Sequence, residues 1–104
     1  MPITGYNEDE RRSTCKSERA SLVERFGPDT VVVTPFDFAD IIRENIPVPT
    51  YGTFMCEDLA YIIDEADIVD FIVDPRETKS RGVRAEFAIA QIYGKKTIWQ
   101  GVEL

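Results

Sequence analysis

The residues best equipped for chemistry fall in one stretch, Asp74-Pro-Arg-Glu-Thr-Lys-Ser80-Arg-Gly82-Val-Arg-Ala-Glu86. It joins the end of an apolar, strand-like run to the start of a helical one. Ser80 reads as an N-cap, so Ser80 and Gly82 put a hydroxyl and exposed backbone N–H groups at a helix N-terminus, where an anion is stabilised. Glu86 follows about one and a half turns in, close enough to face the same crevice. A glycine inside a helix costs roughly 1 kcal/mol relative to alanine, so Gly82 implies that something approaches the backbone there. The competing reading is a capped helix with Glu86 as a solvated surface acid. The chain has no histidine, so any catalysis falls to carboxylates, and no metal site is expected. Arg76, Arg81 and Arg84 either add positive charge or are ordinary surface arginines. Asp74 either touches a ligand or starts the turn with Pro75.

The elements that must position these residues follow from periodicity and punctuation. Asn7 before Glu8, Asp9 and Glu10 reads as a capped helix start with acids at the positive end of the dipole. Cys15, Leu22, Val23 and Phe26 recur at helical spacing until Gly27-Pro28 stops the run. Thr30 to Thr34 (TVVVT) is β-branched throughout and predicts a buried parallel strand. A short helix is expected over Asp37 to Glu44, with Phe38, Ile41 and Ile42 inward, followed by a loop from Asn45 to Gly52. Thr53 is the expected cap of a helix carrying Met55, Leu59, Ile62, Ile63 and Ala66 on one face. Asp67 to Asp74 predicts the second strand, in which Asp70 suggests one partly open face or a partner. A helix from Ser80 to Tyr93 closes at Gly94, and Thr97 to Gln100 makes a last short strand. Trp99 and Gln100 pack in the core by default, or against a base or a second subunit. Strands alternating with helices imply a parallel sheet covered on both faces, in one domain over residues 1–104. In such sheets ligands bind beyond the carboxyl ends of the strands.

Composition narrows the function. The 104 residues are 43% hydrophobic and 30% charged, an ordinary globular balance. A net charge of -7 argues against a nucleic-acid polymer as partner, which needs clustered Lys and Arg. A small anion needs only a local cluster of donors. Apolar runs such as Ile68 to Val73 are too short to cross a bilayer, and no charged-then-apolar signal opens the sequence. Cys15 and Cys56 are not in a CxxC arrangement, so two reduced thiols in a cytoplasmic protein are expected.

Several of these segments, in this order, resemble the nucleoside 2-deoxyribosyltransferase-like family. The pattern Ser-x-Gly-x-x-x-Glu at Ser80, Gly82 and Glu86 is similar to its signature, followed by an Ala-containing helix and a Gly-Lys before a strand. Asp58-Leu59, and Ala66-Asp67 opening an apolar strand, also match. Pro2-Ile-Thr-Gly-Tyr6 resembles the "GPITGY" of small phage and bacterial members of unassigned function, and Val33-Thr-Pro35-Phe36 resembles their "VxNPF". The resemblance implies a three-layer, flavodoxin- or Rossmann-like fold. It assigns Glu86 as a nucleophile that attacks C1′ of a deoxyribose and forms a glycosyl-enzyme ester. Asp58 would orient the sugar and help protonate the leaving base, while Ser80, Gly82, Asp74, Ile3, Thr4, Gly5 and Tyr6 would bind substrate. No cofactor is implied.

Ser80 discriminates within that family. Transferases of free nucleosides carry an aspartate two residues before the motif glycine, and 5′-monophosphate N-hydrolases a serine, so the ligand expected here is a nucleotide. The family's first strand precedes the Pro-Ile-Thr-Gly segment, where this sequence begins at Met1. A truncated or missing first strand is therefore expected, without the strand aromatic that helps hold the catalytic glutamate. Members share active sites across dimers, which implies a homodimer or higher homo-oligomer. Three functions follow from this reading: a deoxynucleoside 5′-monophosphate N-glycosidase, a non-catalytic nucleotide-binding or sequestering protein on the same fold, and a structural or partner-binding domain.

Overall fold

The computed structural model describes residues 8–104. Their elements are α1 (Glu8–Phe26), α2 (Pro35–Asn45), α3 (Tyr51–Asp64), β1 (Ile68–Phe71), α4 (Arg81–Ile92), β2 (Lys96–Trp99) and β3 (Val102–Glu103). The chain is thus mixed α/β, with four helices and a small three-stranded sheet among the described residues. It divides into two compact units, Met1–Asp37 and Phe38–Leu104.

In the first unit, α1 opens on Glu8, Asp9 and Glu10 as the sequence predicts, while the expected cap Asn7 lies outside the described residues. The helix closes where Gly27, at φ 112°, donates its N–H to Val23 at 2.8 Å, a left-handed exit that favours glycine. Thr30 to Thr34 corrects one expectation, because the segment is irregular and Val31 is 81% exposed. A strand exists only where a neighbour shares its N–H and C=O groups, and the described sheet contains no strand from this segment. The following helix starts earlier than Asp37. Thr34 stands before Pro35 at the first helical position, and the Asp37 carboxylate accepts the Thr34 N–H at 2.7 Å. This is the return half of a capping box. Arg19 donates to the same carboxylate oxygen at 2.8 Å, tying α1 to the start of α2.

In the second unit, Ala39 and Ile42 of α2 are buried and Phe38 packs on Tyr61 at 5.4 Å between ring centres. Ile41, expected inward, is 59% exposed. Helix α3 is capped by Thr50, with Thr53 completing a reciprocal capping box, so the expected cap was placed one box too late. β1 and β2 run parallel, with Val69 opposite Thr97 and Phe71 opposite Trp99. β3 is antiparallel to β2, so the sheet is mixed where a purely parallel one was expected. The reversal is a two-residue turn with Gln100 at φ 49° and Gly101 at φ 78°, positive values that match the twist of a tight hairpin.

Helix α4 covers the sheet face that carries Phe71 and Thr97. Phe87 meets Phe71 edge-on at 5.7 Å, and the Gln91 amide donates to the Thr97 hydroxyl at 3.1 Å. On the opposite face, Ile98 is also almost fully buried. α4 ends in paired bonds from Gly94 N–H to Gln91 and from Lys95 N–H to Ala90, with Gly94 at φ 67°, a Schellman closure. No helix among the described residues is long and apolar enough to cross a membrane.

Candidate active site

The candidate site lies along the seam between α3 and α4. On α3, Tyr51, Met55 and Asp58 follow at four- and then three-residue spacing and share one face. On α4, Gly82 and Glu86 do the same. A Cβ on Gly82 would stand 2.6 Å from the Tyr51 Oη and 3.4 Å from the Met55 Sδ, so these two faces meet. The close approach implied by the glycine is therefore made by the Tyr51 phenol and the Met55 thioether. Going from Tyr51 to Asp58 and from Gly82 to Glu86 follows the seam in the same direction, which brings the two acids to one region.

Neither acid behaves as a solvated one. Glu86 is half-buried, and its carboxyl is pushed up to about 7, first by burial and then by the charge of Asp58. Asp58 is raised to about 6, first by burial and then by the neighbouring Glu57. Removing water penalises a carboxylate, and a second negative charge penalises it further. Midway between these values, at about pH 6.5, the pair therefore holds about one proton between its two members. That is the state a two-carboxylate mechanism requires, with one group ionised and one able to donate.

At the head of α4, Ser80 is the N-cap as expected, and its Oγ accepts the Val83 N–H at 3.4 Å. Its own N–H donates to the Thr78 hydroxyl at 3.1 Å. This leaves an exposed hydroxyl over the first turn of a helix, two residues from Gly82. Arg81 and Arg84 are exposed on the same turn.

Asp74 sits differently. Its carboxylate is gripped by the fork of Arg76, with Nε at 3.0 Å and Nη2 at 3.1 Å, and accepts the Arg76 backbone N–H at 3.0 Å. The Arg76 hydrogen bonds hold this carboxyl below the usual carboxylate range. Its backbone carbonyl accepts the N–H groups of Glu77 and Thr78. These contacts make Asp74 the organiser of the strand-to-helix turn. Ile3, Thr4, Gly5 and Tyr6 lie outside the described residues.

Tyr51 and Met55 were not singled out as site residues by the sequence reading. Tyr51 fell in an expected loop and Met55 on an expected core face. The signal that finds them is their spacing from Asp58 on one helix face, once the helix is started at Thr50. Trp99, at the end of β2, has a buried indole N–H with no hydrogen-bond partner. In the first unit, burial pushes the Cys15 thiol up, away from nucleophilic use. Among the described residues no group of three or more His, Cys, Asp or Glu is arranged to hold a metal ion. No family model, curated protein or solved structure matches this chain.

Proposed function

We propose that this chain is an N-glycosidase of 2-deoxynucleoside 5′-monophosphates, working through Glu86 and Asp58 on a flavodoxin- or Rossmann-like scaffold. The observation that carries this reading is the pair of half-buried acids on facing helices, both raised towards neutrality, to about 6 and about 7. Ionised Glu86 attacks C1′ of the deoxyribose, the C1′–N bond breaks, and the bond electrons leave with the base. Asp58 supplies the proton that the departing base takes up. Water then attacks C1′ of the ester and gives one proton to ionised Asp58, the C1′–O bond to Glu86 breaks, and 2-deoxyribose 5-phosphate leaves with Glu86 restored as a carboxylate. The transition state is oxocarbenium-like and positive, so a carboxylate is both the nucleophile and the electrostatic stabiliser. Ser80 and the first turn of α4 suit a 5′-phosphate, which an aspartate at that position would repel.

The free protein favours the opposite placing of the proton, on Glu86 and not on Asp58. The difference is only about one pKa unit, or roughly 1.4 kcal/mol. A sugar developing positive charge beside Glu86 favours its ionised form and works against this ordering. The same ordering favours a second reading, a nucleotide-binding protein without turnover, in which protonated Glu86 acts as a hydrogen-bond donor to the ligand. Under either reading we place the protein in the cytoplasm, as a homodimer or higher homo-oligomer.

Chromatography of the four deoxynucleoside monophosphates and their nucleosides after incubation separates these outcomes. Release of free base from monophosphates, abolished by Glu86→Gln, is the expected result. Monophosphates that bind and are recovered intact mean the binding protein. Base release undiminished in Glu86→Gln would sink the mechanism.

A further inference from the structure

The seam holds an aromatic ring that the glycosidase reading does not use. Tyr51 occupies the first helical position of α3, with its hydroxyl against the backbone of Gly82. Gly82 is the residue that permits this, because any Cβ there would collide with the phenol. Although one end of the ring is held against α4, Tyr51 as a whole remains 65% exposed. A large aromatic left this open gains little for the fold from burial. The half-buried Met55 stands one turn further along the same face, and Asp58 follows it. A flat apolar surface therefore borders the two carboxylates along one seam, as in small-molecule sites where an apolar wall grips the ligand and a few polar groups orient it.

We propose that Tyr51, backed by Met55, is the platform on which the planar heterocycle of the substrate stacks, making Tyr51 a specificity-determining residue for an aromatic aglycone. This rests on the glycosidase or nucleotide-binding reading above. It adds the class of leaving group the site selects: a flat π-system in place of a sugar or alkyl aglycone. Stacking on a tyrosine is tolerant of base identity because every base presents a π-face. It predicts a preference for nucleotides over base-free sugar phosphates, with only modest discrimination between two purines or between two pyrimidines.

The test compares wild type, Tyr51→Phe and Tyr51→Leu for binding of deoxynucleoside monophosphates and of 2-deoxyribose 5-phosphate, which has the sugar and phosphate but no base. Tyr51→Leu is expected to weaken monophosphate binding about tenfold and to leave 2-deoxyribose 5-phosphate binding unchanged. Tyr51→Phe keeps the ring and is expected to stay within about twofold of wild type on both. Circular dichroism and thermal melting of each variant establish that it is folded. An equal loss on both ligands would mean that Tyr51 acts through the sugar or through the fold, and would overturn the platform. Unchanged monophosphate binding in Tyr51→Leu would overturn it as well, while leaving base release by the wild type intact. Wild type that binds neither monophosphates nor the sugar phosphate would instead remove the functional reading on which the platform depends.

Discussion

Asp74 lies in the connection from β1 to α4 and Glu86 in the second turn of α4 itself, and the fold treats their charges in opposite ways. Asp74 receives two hydrogen bonds from the Arg76 guanidinium and one from its backbone, and its carboxyl is held below the ordinary range. Glu86 is withdrawn from water into a seam with another acid and is raised to about 7. The first acid stabilises a turn through its charge. The second is held where its charge is costly, which is what the proposed mechanism draws on. An acid used for architecture is surrounded by donors, whereas one drawn into a seam beside a second acid is left where its charge is costly.

The largest effect separating the two is catalytic. Base release is expected to follow a bell in pH, with limbs near 6 and 7 set by Asp58 and Glu86, falling about tenfold per unit beyond each limb. A flat profile between pH 5 and 8 would remove the paired-acid mechanism.

Stability gives the next largest effect. Because the folded-state value of Glu86 lies above its ordinary 4.5, the folded protein binds the proton more tightly than the unfolded chain. The cost is absent below pH about 4, grows as pH rises, and is complete above about 7. Glu86→Gln is therefore expected to stabilise the protein at pH 8 by up to about 3 kcal/mol, and by little at pH 4. Denaturant titrations at the two pH values check this, and a solvated Glu86 would show no difference at either.

Asp74→Asn should move the other way, lowering the melting temperature at pH 7 by a few degrees. A depressed carboxyl contributes stability above its ordinary 3.8 and loses it only as pH falls further, so the deficit should be constant from pH 8 to 5. A deficit that shrinks across that range would place Asp74 with Glu86. The smallest effect belongs to Gly82→Ala. Helix propensity favours alanine by about 1 kcal/mol, and the atom in the way is the hydroxyl of the largely exposed Tyr51 side chain, which can give way. Stability should change by less than that amount, while the displaced phenol raises the KM for monophosphates.

The parts of this molecule that were legible in its sequence are those set by local chemistry. Ser80, Gly94 and the helix between them stand where capping and left-handed exit rules put them. The parts that were misread depend on distant partners. TVVVT has the composition of a strand but belongs to no ladder of the described sheet, and nothing local announces a missing neighbour. β3 was missed because a two-residue strand carries no periodicity, although Gln100-Gly101 is a serviceable hairpin turn. Gly82 was read correctly as a point of close approach, but only the meeting of α3 and α4 shows that Tyr51 makes it. Glu86 was visible as a candidate; its burial was not, because burial comes from the opposite helix.

Glu86 and Phe87 are consecutive residues, set about 100° apart around α4. Phe87 is fixed edge-on against Phe71 of the sheet, so the helix cannot roll to re-aim the carboxylate without lifting an aromatic pair out of the core. Change on the α4 side is therefore costly, since each adjustment of the Glu86 carboxylate would be read first as damage to the sheet. Divergence in what such a scaffold accepts would accumulate on α3, where Tyr51 is exposed and free to be exchanged while the acid opposite stays in register.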